Sequence, residues 1–162
     1  MDREARFRRM SEEIGHSFEG EIKLGGNYAP LVQHHDAIYI SGQIPRVGDR
    51  VVMQGAVGDE VSLEQGQLAA KICVMRATAI LLKYLGSLER VKQILRMTVY
   101  VQSSASFIQH SEVADGASGA LFSIFGNAAI HSRTSLGVIK LPKNASVEID
   151  FIVAVNDARI AT

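Results

Sequence analysis

The stretch HSRTSLGVIKLPKNASVEIDFIVAV, residues 131–155, decides the fold because apolar and polar residues alternate along each of its two halves. Alternation with a period of two is typical of strands that bury one face. The turn-forming residues 141–144 separate the halves, so we expect two strands that pair through this turn. On that pairing Arg133, Ser135 and Glu148 gather on one polar face. The opposite, apolar face carries Leu136, Val138, Val147, Ile149, Phe151, Val153 and Val155.

Length and composition indicate one globular unit of moderate size. The 162 residues are 47% hydrophobic and 21% charged, which suffices for one well-filled core. The 17 basic and 17 acidic side chains cancel, so no overall field favours nucleic acid or an anionic membrane as a partner. We find no apolar run of about 20 residues and no apolar signal segment, and therefore expect a cytoplasmic protein. We expect residues 1–19 to be an N-terminal extension and 20–162 a single domain.

The clearest helix signal begins at Ser62, where Gln65 is placed to complete a capping box. Apolar residues then recur at helical spacing until Gly86, which is expected to end the helix. A second helix is predicted over 105–126, interrupted at Asp115–Gly116. The other predicted elements are strands at 20–28, 36–43 and 94–102, with Leu95 on the apolar face of the last, and a hairpin within 44–60.

This order of strands and helices predicts an α+β fold with both helices on one face of the sheet. Parallel strands buried on both faces would show continuous apolar runs, and these strands mostly alternate. The other face of the sheet is therefore polar and aromatic, and it meets either water or another copy of the chain. Its predicted residues are Tyr39, Ser41, Thr98, Tyr100, Arg133, Ser135 and Glu148.

Three motifs resemble the reactive intermediate deaminase (Rid, YjgF-like) family, long labelled as L-PSP endoribonucleases. They are SGQIP from Ser41, the helix start with Glu64, Gln65 and Gly66, and R-x-x-x-G-x-x-x-L-P-x-x-x-x-V-E-I-D from Arg133. The resemblance covers residues 20–155 and points to a longer-chain subgroup. It implies a chorismate-mutase-like βαββαβ sandwich of the bacillus type, with a mixed sheet and two helices on one face. It also implies a homotrimer with sites at the subunit clefts.

By resemblance, the activity is hydrolysis of small 2-imino or 2-enamino carboxylic acids to 2-oxo acids and ammonia, without a metal or cofactor. Arg133 would bind the substrate carboxylate, because a guanidinium matches a carboxylate with two parallel hydrogen bonds. Glu148 would hold or activate the attacking water. The cleft would be lined by Tyr28, Ser41 and Gly42, with Ser135 near the ligand.

Several residues leave alternatives open. A salt bridge between Arg133 and Glu148 would give both a structural role instead. Ser135 stands where the family often has cysteine, and Asp115 lies in a second helix that departs from the family pattern. An anion at Asp115 would weaken binding of an anionic substrate if it faced the site. His131 precedes Arg133 by two positions and is expected to face the same cleft as a further substrate-binding residue, with a surface or capping role as the alternative.

The sequence is also compatible with functions other than deamination. The same fold could bind a small carboxylate without turnover, as a regulator or holdase. An endoribonuclease is disfavoured, because the chain is neutral and lacks a basic stripe. His34 and His35 are adjacent and would point to opposite faces of a strand, so they indicate no zinc site. Cys73 is predicted to be a buried core residue.

Overall fold

The structure is a computed structural model that describes residues 1–156; residues 157–162, the end of the predicted domain, lie outside the described part. The described residues form the α-helices α1 (Arg3–Ile14), α2 (Leu63–Leu85) and α3 (His110–Phe125). The strands are β1 (Leu31–His34), β2 (Ala37–Gln43), β3 (Arg46–Val47), β4 (Arg50–Val51), β5 (Val91–Gln102), β6 (Ser132–Val138) and β7 (Val147–Val155).

Five strands form a mixed sheet in the order β1-β2-β7-β5-β6, in which only β5 and β6 run parallel. Strands β3 and β4 form a separate hairpin, as predicted within 44–60. The residues of β2, β5 and β7 that face α2 and α3 are buried, so the core lies between the sheet and these helices. The predicted α+β fold with a mixed sheet is confirmed.

Helix α2 begins and ends where the sequence predicts. Ser62 Oγ accepts from the backbone N–H of Gln65 at 3.1 Å, and Gln65 Oε1 accepts from that of Ser62 at 2.9 Å. This reciprocal capping box satisfies two N–H groups that have no partner within the helix. Gly86 ends the helix in a left-handed conformation with φ 79°. The long helix that covers the core is thus set by local signals at both ends.

Helix α3 differs from the prediction at two points. It begins at His110 rather than 105, and it continues through Asp115–Gly116 without a break. Gly116 lies where α3 crosses α2, and a Cβ there would lie 2.8 Å from Cα of Gln67. The glycine therefore permits close helix packing instead of marking an interruption.

The predicted pairing of the two halves of 131–155 is wrong. Strands β6 and β7 lie on either side of β5, and neither is hydrogen-bonded to the other. The chain between them crosses the end of β5, where the buried Gln102 accepts from the backbone N–H of Leu141 at 2.8 Å and donates to Asn144 Oδ1 at 2.7 Å. Residues 141–144 therefore form an anchored crossover rather than a hairpin turn.

Three smaller predictions are also corrected. Residues 20–28 form no strand. A bulge between Ile94 and Arg96 buries Ile94 and leaves Leu95 41% exposed, although Leu95 was expected on the apolar face. His35 follows β1 in a turn with φ 54°, so its ring contacts that of His34 instead of facing away from it.

Helix α1 packs on the helical layer, chiefly on α3, and buries Phe7 and Met10. Arg3 anchors the start of α1 by donating to the carbonyl oxygens of Leu88 at 3.0 Å and Val91 at 2.6 Å. The first residues of the chain thus add to the core. Among residues 1–156, none of the helices combines the length and the apolar character required to cross a membrane.

Candidate functional site

A cleft of about 320 Å³ opens beside the start of β7. It lies between β2, the segment before β1 and the crossover 141–144. Its volume suits a small molecule. It is lined by Lys23, Leu24, Gly25, Tyr28, Gly42, Gln43, Ile44, Arg46, Arg76, Pro142, Lys143 and Glu148.

Glu148 and Gly42 meet at the centre of the cleft. The register of β2 against β7 shifts between Ile40 and Gln43, which brings Gly42 against the side chain of Glu148. A Cβ at Gly42 would clash with the carboxylate of Glu148 and would lie 3.2 Å from its Cγ. The glycine of the SGQ motif therefore leaves the space that the carboxylate occupies.

The carboxylate of Glu148 makes no hydrogen bond or ion pair within the part of the chain that the structure describes. Burial raises the pKa of its carboxyl group, and the nearby charge of Asp150 raises it further. An unpaired carboxylate with a raised pKa can accept a proton from water more readily than an ordinary glutamate. These are the properties that a general base needs.

Of the predicted residues Tyr28 and Ser41, only Tyr28 is among those that line the cleft. Tyr28 lines it and is half exposed. The hydroxyl of Ser41 instead donates to the carbonyl of Ala29 at 2.7 Å, and its backbone N–H donates to that of Pro30 at 3.0 Å. Ser41 thereby fixes the segment that carries Tyr28 against β2.

The floor of the cleft contains two arginines that the sequence reasoning missed. Arg46 and Arg76 are 9% and 6% exposed and line the cleft together. One sequence signal points to Arg76, because it occupies the apolar stripe of α2 between Ile72 and Ala79, where an arginine is buried at a helical position. Arg46 directly follows the SGQIP string and gives no comparable signal.

Arg133 lies on the other face of the sheet from Glu148, so the prediction that they share a face is wrong. Arg133 is paired in register with the buried Met97, whereas Glu148 is paired with Tyr100 on the opposite face. Ser135 is beside the buried Val99 and shares the face of Arg133. The cause is that β6 joins the edge of β5 in parallel, a pairing that puts the odd-numbered residues of β6 under α3.

Arg133 is bound by residues of α3, in a group that we call the Arg133 cluster. It donates to Asp115 Oδ1 at 2.8 Å, to Ser118 Oγ at 2.9 Å and to Ser111 Oγ at 2.8 Å. His131 Nε2 lies 3.0 Å from Ser118 Oγ, and its Nδ1 lies against the carbonyl of Ala129. The ion pair that Arg133 forms is with Asp115, not with Glu148.

The described part of the chain offers no cluster of three His, Cys, Asp or Glu side chains that could hold a metal ion. Cys73 is fully buried in α2, and burial raises the pKa of its thiol far above the ordinary value. A thiol in this state is inert as a nucleophile.

The fold and the cleft define an α+β protein with a small cleft beside the start of the central strand, β7. Residues 17–154 match the family described as "YjgF/chorismate_mutase-like, putative endoribonuclease". Since this match covers most of the chain, the protein belongs to the YjgF family, which is also called the Rid family. The family resemblance drawn from the three sequence motifs is thereby confirmed.

Relatives with this fold come from distant organisms. Protein TCP17 of Trypanosoma cruzi is 36% identical over 132 residues, which cover 81% of this chain and 82% of that protein. A Shewanella oneidensis structure with the same endoribonuclease description has a TM-score of 0.87 and 28% identity, covering 96% of this chain and all of its own. Protein Atu1372 of Agrobacterium tumefaciens has a TM-score of 0.84 and 28% identity, with 95% and 92% covered.

Proposed function

We propose that this protein is a hydrolytic deaminase of small 2-imino or 2-enamino carboxylic acids, acting as a homotrimer. The observation that carries the proposal is Glu148, a partly buried carboxylate with a raised pKa and no partner among the described residues, which faces a small cleft. Family membership supports this class of activity in general. The substrate and the assembly are part of the proposal.

The proposed reaction needs one group that moves protons and one that binds a carboxylate. Glu148 takes a proton from water as the water oxygen bonds to the imine carbon, and it passes this proton to the imine nitrogen as the C=N double bond becomes single. The resulting carbinolamine then expels ammonia as its hydroxyl proton leaves and the C=O bond forms. Neither step changes the oxidation state of the substrate, so no redox partner is needed.

The position of Arg133 supports a site shared between copies of the chain. Arg133 and Ser135 lie under α3 near the sheet edge, while Tyr28, Gly42 and Glu148 line the cleft on the other side of β5. One chain therefore carries two half-sites that do not meet within it. In a cyclic trimer the Arg133 cluster of one copy would complete the cleft of the next.

Asp115 does not prevent Arg133 from binding a substrate carboxylate. The side chain of Asp115 is 62% exposed, and an ion pair so open to solvent contributes little free energy. A substrate carboxylate entering a closed site would form stronger hydrogen bonds with the same guanidinium. We propose that Asp115 holds Arg133 in position until the substrate replaces it.

The first test compares the release of 2-oxo acid from 2-iminopropanoate, generated in situ, by wild type, Arg133→Ala and Glu148→Gln. We expect both variants to lose at least about a hundredfold in kcat/KM, because each removes a group required in the transition state. Arg9→Ala and Glu13→Gln are the matched controls, since these residues form an exposed pair on α1. A wild type that accelerates no imino acid would refute the deaminase and favour the carboxylate-binding alternative.

Mixing the two inactive variants tests the shared site. If each site takes Arg133 from one copy and Glu148 from the next, mixed trimers regain wild-type sites and roughly a quarter of the activity, as random assortment in threes predicts. If both residues act within one chain, mixing restores nothing. A catalytic RNA-cleavage assay on the same samples would decide whether the endoribonuclease description applies.

A further inference from the structure

We propose that Arg46 and Arg76 form an anion subsite on the floor of the cleft, so that the substrate carries a second anionic group besides the carboxylate next to its reacting carbon. This inference rests on the proposed function, which it makes more specific. The second group is a carboxylate or a phosphate, since both present the anionic oxygens that guanidinium groups bind.

The first observation is that neither guanidinium forms a salt bridge within residues 1–156. Arg76 donates only to neutral oxygens, namely Gln43 Oε1 at 3.2 Å, the carbonyl of Arg46 at 3.1 Å and that of Lys23 at 3.2 Å. The buried Nε of Arg46 has no hydrogen-bond partner. A guanidinium carries five N–H donors, so both side chains retain donors for a ligand.

The second observation is the charge balance around this floor. Lys23 is paired with Asp49 at 2.5 Å, while Glu148 forms no ion pair with either arginine. Glu19 and Glu21 line a second cavity on the other side of Arg46 and Arg76, but within residues 1–156 neither forms a salt bridge with them. Among residues 1–156, therefore, neither buried arginine has a carboxylate within salt-bridge distance, and Asp49, whose carboxylate is paired with Lys23, acts on Arg46 only through its charge.

Such an arrangement is unfavourable in the empty protein. Burial lowers the pKa of Arg76, and the positive charge of Arg46 lowers it further. Two buried like charges without a counterion destabilise a fold, whereas an anion that binds between them removes that penalty. A ligand that supplies this anion gains affinity from donors already held in place.

The geometry of the cleft allows both ends of one small molecule to be bound. The same cavity of about 320 Å³ contains Glu148, Gly42 and the two arginines. A substrate whose imine carbon lies near Glu148 can extend its far end towards Arg46 and Arg76. Lys143, held at the rim by the anchored crossover, adds positive charge on that path.

The test uses 2-oxo acids, which are products of the proposed reaction and bind without turnover. Calorimetric titration would compare 2-oxopentanoate, which has one anionic group, with 2-oxoglutarate and with phosphohydroxypyruvate, which have a second. We expect wild type to bind at least one of the two-anion ligands about tenfold to a hundredfold more tightly than 2-oxopentanoate. Whichever of these two ligands binds more tightly shows whether the second anionic group is a carboxylate or a phosphate.

In Arg46→Gln and in Arg76→Gln, the ratio of the affinities for the two-anion ligand and for 2-oxopentanoate should fall to about one, since each substitution removes donors from the subsite. Arg50→Gln is the matched control, because Arg50 is exposed on the same hairpin and should retain the wild-type preference. Arg46 is the safer variant for folding, because its buried Nε has no hydrogen-bond partner, whereas Arg76 donates to three oxygens. Equal affinities in wild type, or a preference unchanged in both variants, would overturn the subsite.

This experiment is independent of catalysis. Turnover of 2-iminopropanoate with no preference for a second anion would leave the deaminase standing and remove the subsite. A clear preference that depends on Arg46, without turnover of any imino acid, would leave the subsite and refute the deaminase.

Discussion

Replacing Gly116 by alanine should destabilise the protein, although alanine is the better helix former. A Cβ at Gly116 would lie 2.8 Å from Cα and 2.9 Å from the carbonyl carbon of Gln67, both in the backbone of α2. Backbone atoms cannot rotate away, so α2 and α3 must separate. Overpacking of this kind typically costs about 1–3 kcal/mol, against a gain of about 1 kcal/mol in helix propensity.

Gly119 provides the matched control, three residues further along the same helix. It is exposed, and a Cβ there would meet nothing within 4 Å. Gly119→Ala should therefore stabilise the protein by roughly 0.5–1 kcal/mol through propensity alone. The difference between the two variants isolates the steric term, because the propensity gain is common to both.

Urea unfolding of wild type and the two variants, at equal concentration and with the oligomeric state checked, would measure this difference. We expect Gly116→Ala to be less stable than Gly119→Ala by about 1–3 kcal/mol, which corresponds to roughly 2–4 °C in Tm per kcal/mol at this chain length. Equal stabilities would show that α2 and α3 are not packed as closely as the structure places them.

Two further predictions concern the cleft. Gly42→Ala should change the free energy of unfolding by no more than about 1 kcal/mol, because the carboxylate that it would clash with ends a flexible side chain. Displacing the carboxylate of Glu148 should nevertheless lower kcat/KM by about a hundredfold. Unaltered kinetics would count against Glu148 as the base. Because the pKa of Glu148 is raised in the folded state, its contribution to stability is full below the unfolded pKa and is lost as pH rises through the folded pKa. The free energy of unfolding of Glu148→Gln, relative to that of wild type, should therefore increase from pH 4 to pH 7, by no more than about 1 kcal/mol for a half-exposed group. Denaturant titrations at the two pH values measure this difference, and an equal difference at both would refute the prediction.

Local signals in the sequence were sufficient for α2 and for most strands. The capping box at Ser62 and the left-handed Gly86 act within one helical turn, so their effect can be predicted without the rest of the chain. The alternation in β7 likewise predicts which side chains are buried. These elements depend on neighbours in sequence, which is what periodicity reports.

The strand order could not be predicted in the same way. Alternation in residues 131–155 is equally compatible with a hairpin and with two strands on either side of a third. Gln102 favours the arrangement with two strands on either side of a third, because its side chain binds the crossover at Leu141 and Asn144. These partners lie 39 and 42 residues away in sequence. Parallel pairing of β6 with β5 then reverses the face on which Arg133 lies.

The divided positions of Arg133 and Glu148 follow from this topology, and they explain why both can be functional without forming a salt bridge. The cleft already contains four basic residues, Lys23, Arg46, Arg76 and Lys143, against the single carboxylate of Glu148. An unpaired arginine brought to it from a neighbouring copy would meet a repulsive field. Arg133 instead carries Asp115 as a solvent-exposed partner, and in the proposed trimer this carboxylate would reduce that repulsion before substrate binds. The proposed anionic substrate would then supply the negative charge that the cleft lacks, so the charges of both half-sites favour the same kind of ligand.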